Sequence, residues 1–314
     1  MYARKLKVEE HRIFFNLAIS EGSLFASEEW VSNYKSKVQL IGLFKVKSNQ
    51  FVGGFCVYAE KKIGIPYLRN IPFTPHISLF YKNNSKNPVN INSLRKKVIR
   101  AVAEFIKRNQ WSIINISLPP AEKDIQPIIW NNLGVRIRYT YQISLKDCDQ
   151  ILYGNFSPER RNDLTKAAKD GVFTKIAHDY HEIEMLIKKT FKHNNLRTYP
   201  DILERILFEF ATSSNSFGVV SYYKDRPSAF TFIVYTHKVA YYILGGYDRE
   251  NSHHGAGALC IWESIKEMKS RGVGIFDFEG SMVPAIENFF RGFGGEIVPF
   301  YQIRSIPILS KLTL

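Results

Sequence analysis

WNNLGVRIRYTYQI, from Trp130 to Ile143, returns 160 residues later as FRGFGGEIVPFYQI, from Phe290 to Ile303. The two stretches align without gaps. Trp130 falls on Phe290, Leu133-Gly134 on Phe293-Gly294, Ile137 on Ile297, and Tyr141-Gln142-Ile143 on Tyr301-Gln302-Ile303. The upstream order agrees as well. Leu94, Val98, Ala101 and Phe105 recur at helical spacing, and Ala258, Ile261, Trp262, Ile265 and Met268 do the same one offset later. A short strand follows each helix, SIINISL (Ser112–Leu118) and VGIFDFE (Val273–Glu279), with Ile116 and Leu118 matching Phe276 and Phe278 on one apolar face. Strands before the helices are expected at Val38–Lys45 and Phe51–Glu60 in the first half. In the second half they are expected at Phe217–Lys224, Ala229–Thr236 and Val239–Gly245, with turns at Asp225-Arg226-Pro227 and His237-Lys238. These patterns predict an α/β chain with a mixed sheet, made of two tandem domains related by internal duplication. The boundary is expected near Asp147–Asn155, giving domains 1–150 and 151–314.

A chain of 314 residues suits two cores, and its 45% hydrophobic and 14% aromatic content is that of a globular protein. Forty-three Lys and Arg against 29 Asp and Glu leave a formal charge of +14, which favours anionic partners. Cys56, Cys148 and Cys260 are far apart and form no Cys-x-x-Cys, which disfavours a zinc knuckle and fits a reduced, cytoplasmic setting. The N-terminal MYARKLKVEEHRIFF lacks a signal-peptide core, and no apolar run reaches the ~20 residues of a membrane span. Peripheral contact with an anionic membrane stays open.

The halves differ before their long helices. NNSKNPVNINS (Asn83–Ser93) has no glycine, whereas GGYDRENSHHGAG (Gly245–Gly257) is glycine-rich and sets Gly255 and Gly257 at a helix start. A helix N-terminus offers unpaired N–H groups and partial positive charge, and glycines let a phosphate approach the backbone. The second half is thus the expected donor-binding half, with Gly245, Gly246, Ser252, His253, His254, Gly255 and Gly257 at the cradle. Adjacent histidines point apart on a turn, so no metal is expected there. A P-loop, a Rossmann fingerprint and a nucleophile-elbow motif are all missing. Ser157-Pro158-Glu159 opens another helix, ended by Gly171. Its Arg160, Arg161, Lys166 and Lys169 are either solvated or in contact with phosphates.

Ser252-His253-His254-Gly255-Ala256-Gly257 resembles the pyrophosphate loop of the GNAT acyltransferase superfamily, with Ser252 where Gln or Arg is usual. Two such domains in tandem resemble its FemAB-like group. Ser23-Leu24-Phe25 with Trp30, Tyr139-Thr140-Tyr141, Arg161 with Lys166-Ala167, Phe276-Asp277-Phe278-Glu279-Gly280-Ser281 and Phe293-Gly294-Gly295 match that group in order along nearly the whole chain. The resemblance implies transfer of an acyl or aminoacyl group from acyl-CoA or aminoacyl-tRNA to an amine. The acceptor would be a small-molecule or lipid-linked precursor of cell wall or surface polysaccharide, and tRNA would be a partner where it is the donor. Both donors are polyanions and suit the positive charge.

The chemistry needs a base for the amine and donors for the oxyanion. Asp277 and Glu279 alternate with Phe276 and Phe278, so either could be the base or orient the ammonium. Alternatively, they cap the next helix or pair with Arg291. Backbone N–H groups near Leu244-Gly245-Gly246 could hold the oxyanion. On the acceptor side, Arg69 and His76 in the first domain and Arg197 and Tyr199 in the second are the candidate contacts, read as loop residues. One departure stands out. The resemblance implies a Lys, or a general-acid Tyr, where this sequence has Phe290. A non-catalytic binding protein of the same fold is therefore one rival reading, and a nucleic-acid-binding protein, resting on charge alone, is another.

Overall fold

A computed structural model describes residues 1–34, 37–109, 111–177, 179–194, 199–280 and 282–305. The chain divides into two compact units, Met1–Arg138 with Pro299–Leu314, and Tyr139–Val298.

In the first unit, β1 (Tyr2–Lys5), α1 (His11–Ser20) and α2 (Glu28–Ser32) precede the strands β2 (Val38–Phe44), β3 (Phe51–Lys62), β4 (Ile65–Arg69) and β5 (Phe80–Tyr81). Then come α3 (Pro88–Arg108), β6 (Ile113–Ser117) and α4 (Gln126–Trp130). The sheet runs β1-β2-β3-β4-β6, with β5 beside β3, and only β4–β6 is parallel. Local chemistry explains the long helix. Asn87 accepts from the N–H groups of Val89 and Asn90, and Pro88 stands where no N–H is needed. Its Val98, Ile99, Val102, Phe105 and Ile106 are buried at helical spacing, and Lys107 and Arg108 meet the negative dipole end.

The second unit begins within β7 (Val135–Ser144). It continues through α5 (Asp149–Gly154), α6 (Pro158–Lys169), β8 (Phe173–Ala177), α7 (His181–His193) and α8 (Pro200–Arg205). The meander β9 (Ser216–Tyr223), β10 (Arg226–Tyr235) and β11 (Val239–Tyr247) follows, then α9 (Ala256–Ser270), β12 (Ile275–Asp277), α10 (Pro284–Arg291) and the start of β13 (Glu296–Ser305), whose residues from Pro299 on belong to the first unit. The sheet order is β7-β12-β11-β10-β9-β8, with β11–β12 the parallel pair. Between β9 and β10, Lys224 and Asp225 both have positive φ. The chain therefore reverses in a tight two-residue turn that matches strand twist, and β10 starts at Arg226, within the turn expected from sequence. Ser157 does cap α6, accepting from Arg160 N–H at 3.2 Å.

The duplication is visible in hydrogen-bond register. Ile143 pairs with Phe276 and Gln142 with Asp277, while Ile303 pairs with Ile116 and Gln302 with Ser117. Phe278 N–H donates to Tyr141 C=O at 3.1 Å, and Leu118 N–H to Tyr301 C=O at 2.8 Å. Each pair maps onto its counterpart by the offset that relates Tyr141 to Tyr301. The last strand of each sequence half thus completes the sheet of the unit built from the other half. This is why the compact units divide at Arg138/Tyr139 and Val298/Pro299, not near residue 150 as expected from sequence.

Candidate active site

In the second unit, β11 and β12 pair only from Val239↔Ile275 to Tyr241↔Asp277. β11 then continues to Tyr247 with ladder partners on its β10 side, Phe230 opposite Gly246 and Thr231 opposite Gly245. The chain beyond β12 turns away. Two parallel strands part here, and the free edge of β11 can offer backbone groups to a bound carbonyl. The corresponding fork in the first unit is sealed. Asn70 N–H donates to Asn115 C=O at 3.2 Å, Ser117 N–H to Asn70 Oδ1 at 2.8 Å, and Ile77 N–H to Ser117 C=O at 3.0 Å. Ser117 holds the place that Asp277 holds in the second unit.

Asp277 is buried and fully engaged. Its Oδ1 accepts from Thr140 Oγ1 at 2.6 Å and from Glu279 N–H at 2.8 Å, and its Oδ2 accepts from Gln142 Nε2 at 2.7 Å. Burial pushes its pKa up and these bonds pull it back, with a net rise. With three hydrogen bonds on it and 4% exposure, Asp277 is suited to holding Glu279 in place rather than to taking a substrate proton.

Glu279 lies past the strand, at φ 57°, where an L side chain is disfavoured. Gly280 follows at φ 73°, and a Cβ there would overlap Tyr139 C=O. The strand alternation expected from sequence therefore ends at Asp277, and it is this turn that presents Glu279. Its Oε1 is enclosed and has no hydrogen-bond partner among the described residues. Burial, then the neighbouring Asp277 charge, hold its pKa well above the usual carboxylate range. Burial, and then the charges of both carboxylates, raise the pKa of the Tyr241 phenol. Neither acid pairs with Arg291, whose Nε bonds Glu287 at 3.0 Å. A carboxylate with one enclosed, unpaired oxygen and a raised pKa suits a general base or an ammonium site.

The two strand glycines are bare because side chains close over them. A Cβ on Gly245 would overlap Tyr242 Oη, and one on Gly246 would overlap Thr190 Oγ1 of α7. Phe290, 6% exposed, packs on Phe278 at 4.8 Å and on Tyr242 at 5.5 Å, as core.

The glycine loop differs from the expected open cradle. A Cβ on Gly255 would overlap Asp163 C=O, so this glycine is needed for α6 to pack on α9. Gly255 N–H donates to His253 Nδ1 at 3.1 Å, and Ala256 N–H to His253 C=O at 3.1 Å. His253 Nε2 meets Asp170 at 3.1 Å, and His254 Nε2 meets Asp163 at 2.7 Å. Donors at the helix start are thus partly used, and two acids stand by the loop, a poor setting for pyrophosphate. Gly257 is roomier, with only Phe289 Cζ at 3.8 Å, and Ser252 is exposed. On α6, Arg160 is buried against Asp163 at 2.9 Å and Arg161 bonds the Gly154 carbonyl at 3.1 Å, while Lys166 and Lys169 are exposed.

Among the expected acceptor contacts, Arg69 ends β4 rather than lying in a loop, with Nε 2.9 Å from Glu60 and its guanidinium over the Tyr58 ring. His76 Nδ1 accepts from Ser78 N–H at 3.0 Å, and burial lowers its pKa to about 4, so it is neutral at pH 7. Both belong to the first unit. Tyr199 precedes α8 in the second, and Arg197 lies outside the described residues. No group of three or more His, Cys, Asp or Glu placed to hold a metal occurs among the described residues. No helix among them is long and apolar enough to cross a membrane.

Residues 160–291 match the family model for the acetyltransferase (GNAT) domain. Over the whole chain the fold is similar to that of FemX, with 100% of each chain covered, a TM-score of 0.63 and 11% identity. Residues 160–291 are thus similar to a GNAT domain, within a chain whose fold is similar to that of FemX. The C-terminal domain of a putative lysylphosphatidylglycerol synthetase from Agrobacterium fabrum is also similar, at a TM-score of 0.58 and 11% identity, over 94% of this chain and 91% of that one. A Bacteroides thetaiotaomicron protein of unknown function aligns at 0.60 and 10% identity, over 96% and 98%. No curated protein matches the sequence. The resemblance to FemAB-like GNAT proteins is thereby borne out at the level of fold, and the matched GNAT segment contains the open fork.

Sequence reasoning missed Thr140 and Gln142 as partners of Asp277, and passed over Tyr241 and Tyr242. The repeated Tyr-Gln-Ile was a signal for Gln142, and adjacent tyrosines ahead of Gly-Gly were a signal for the other pair.

Proposed function

We propose that the second unit transfers an acyl or aminoacyl group from an activated ester or thioester to an amine. The carrying observation is Glu279, whose Oε1 is enclosed and unpartnered where β11 and β12 part. In this reading Glu279 takes a proton from the amine nitrogen as that nitrogen attacks the acyl carbon. Free backbone groups on β11 steady the oxyanion. Asp277 holds Glu279 in place through its N–H, and burial together with the Asp277 charge makes Glu279 a stronger base than an ordinary carboxylate.

The acceptor is an amine on a cell-wall or surface-polysaccharide precursor, supported by the whole-length likeness to FemX. The site acts in the cytoplasm, where peripheral contact with an anionic membrane would suit a lipid-linked acceptor and the +14 charge. Two donors are considered. Acyl-CoA is supported by the GNAT match. Aminoacyl-tRNA is favoured by a specific observation, the glycine loop occupied by α6, His253 and two acids.

Calorimetry with coenzyme A and with alanyl-tRNA separates these donors, and binding of neither would overturn the proposal. Glu279→Gln is expected to cut kcat by about 10²-fold or more while leaving donor affinity unchanged. Unchanged turnover would remove Glu279 as base.

A further inference from the structure

Lys5, Gln39, Phe105, Arg108, Asn109 and Trp111 meet in the first unit around a cavity of about 540 Å³, the size of a small-molecule site. They come from β1, β2, the end of α3 and the approach to β6. Register explains the meeting. Ala3 pairs with Leu43 and Lys5 with Ile41, and Ala3, Ile41 and Leu43 share a core with the buried face of α3. By alternation Lys5 and Gln39 stand on that same sheet face. Arg108 ties the end of α3 to β1, its Nη2 donating to Ala3 C=O at 3.2 Å.

The chemistry of the wall selects the ligand. Lys5, Arg108 and the Trp111 indole are hydrogen-bond donors only, and no carboxylate lines the cavity. Arg4 also borders it, but Glu10 takes up its charge through bonds of 2.6 and 2.7 Å. Lys5 and Arg108 pair with no acid among the described residues, so two uncompensated positive charges remain. The Trp111 Nε1 is enclosed and has no acceptor among the described residues, whereas an enclosed indole N–H normally finds one. The negative dipole end of α3 opposes an anion here. Asn109 Nδ2 offsets it in part by donating to Phe105 C=O at 2.7 Å, and Arg108 stands in the same last turn. Two cations among neutral donors match a phosphate monoester, doubly charged near neutral pH, better than a single carboxylate. The Phe105 and Trp111 rings give an apolar wall for the rest of the ligand.

We propose that this cavity binds a small phosphate monoester with a flat apolar body. Lys5, Arg108 and the Trp111 N–H hold the phosphate, and the body lies against Phe105 and Trp111. The site is built from the first unit alone and does not depend on the acyl-transfer reading. The formal charge of +14 favours such anions over the whole chain.

The test follows the tryptophan indole N–H signals of the full chain by heteronuclear NMR. The chain has four tryptophans, and Trp111→Phe identifies the Trp111 signal. Adenosine monophosphate, adenosine and inorganic phosphate are the probes. The monophosphate is expected to move the Trp111 signal most and to bind about tenfold or more tighter than adenosine or phosphate alone. Lys5→Gln and Arg108→Ala should each weaken its binding by about tenfold. Lys5 is exposed, so its variant keeps the test sound even where Arg108→Ala, which frees Ala3 C=O, disturbs the fold. No binding at millimolar monophosphate would overturn the proposal. Binding that leaves the Trp111 signal in place, or that ignores both substitutions, would do the same, because the ligand would then sit elsewhere. Adenosine binding as tightly as its monophosphate would overturn the assignment of a phosphate.

Discussion

Glu279 has one oxygen, Oε1, that is enclosed and unpartnered among the described residues, and a second carboxylate stands beside it, so its charged form is disfavoured in the folded chain. The unfolded chain releases this proton near the ordinary glutamate pKa, and the folded chain only at higher pH. The stability tied to this group is therefore full below the unfolded pKa and is lost as pH rises through the folded one. Glu279→Gln should accordingly raise stability at pH 7 by about 1–3 kcal/mol while lowering activity, with the gain vanishing in acid. Urea melts at pH 4 and pH 7 check this, and equal midpoint shifts at both pH values would contradict it. Removing Asp277 changes stability in the opposite direction. It satisfies Thr140, Gln142 and the Glu279 N–H, so Asp277→Ala orphans three donors and should cost about 3 kcal/mol. The same change should move the acid limb of the pH–rate profile to lower pH, because burial then raises the Glu279 pKa without the added Asp277 charge. An acid limb left in place would show that burial alone sets it. Sequence reading picked out this pair of acids, but not their division of labour. Alternation along a strand puts both on one face, and only the left-handed turn at Glu279 separates the bonded carboxylate from the unpaired one.

At the scale of elements, the junction of α6 and α9 shows why a motif can be seen and its cause misread. Gly255 suggests a phosphate cradle in sequence because it precedes a helix. In the fold its missing side chain admits the α6 backbone at Asp163. Gly255→Val should therefore lower stability by about 3 kcal/mol through overpacking, seen as a fall in Tm. A normal Tm with abolished donor binding would restore the cradle. The long helices α3 and α9, the meander β9–β11 and the α6 cap were legible because periodicity, Ser-Pro and Gly signals are local. The short strand β12 was legible as a strand, but its three-residue length was not. It ends where Asp277 bonds Thr140 and Gln142, residues distant in sequence.

For the molecule as a whole, the division at Tyr139 and Val298 has a consequence for fragments. A 139–298 fragment keeps the β7 residues that pair with β12, whereas 151–314 leaves β12 without them. The first should show the sharper cooperative melt by circular dichroism, and a more stable 151–314 would contradict the strand assignment. The sequence by itself determined the duplication, the mixed α/β class and the half with the glycine loop, because repeated spacing and helix and turn signals are written locally. Only the tertiary structure decided which sheet each repeat's last strand completes, which fork stays open, and which carboxylate is left unpaired. Those outcomes depend on hydrogen bonds between residues more than a hundred positions apart, such as Thr140 with Asp277, and no local pattern encodes them.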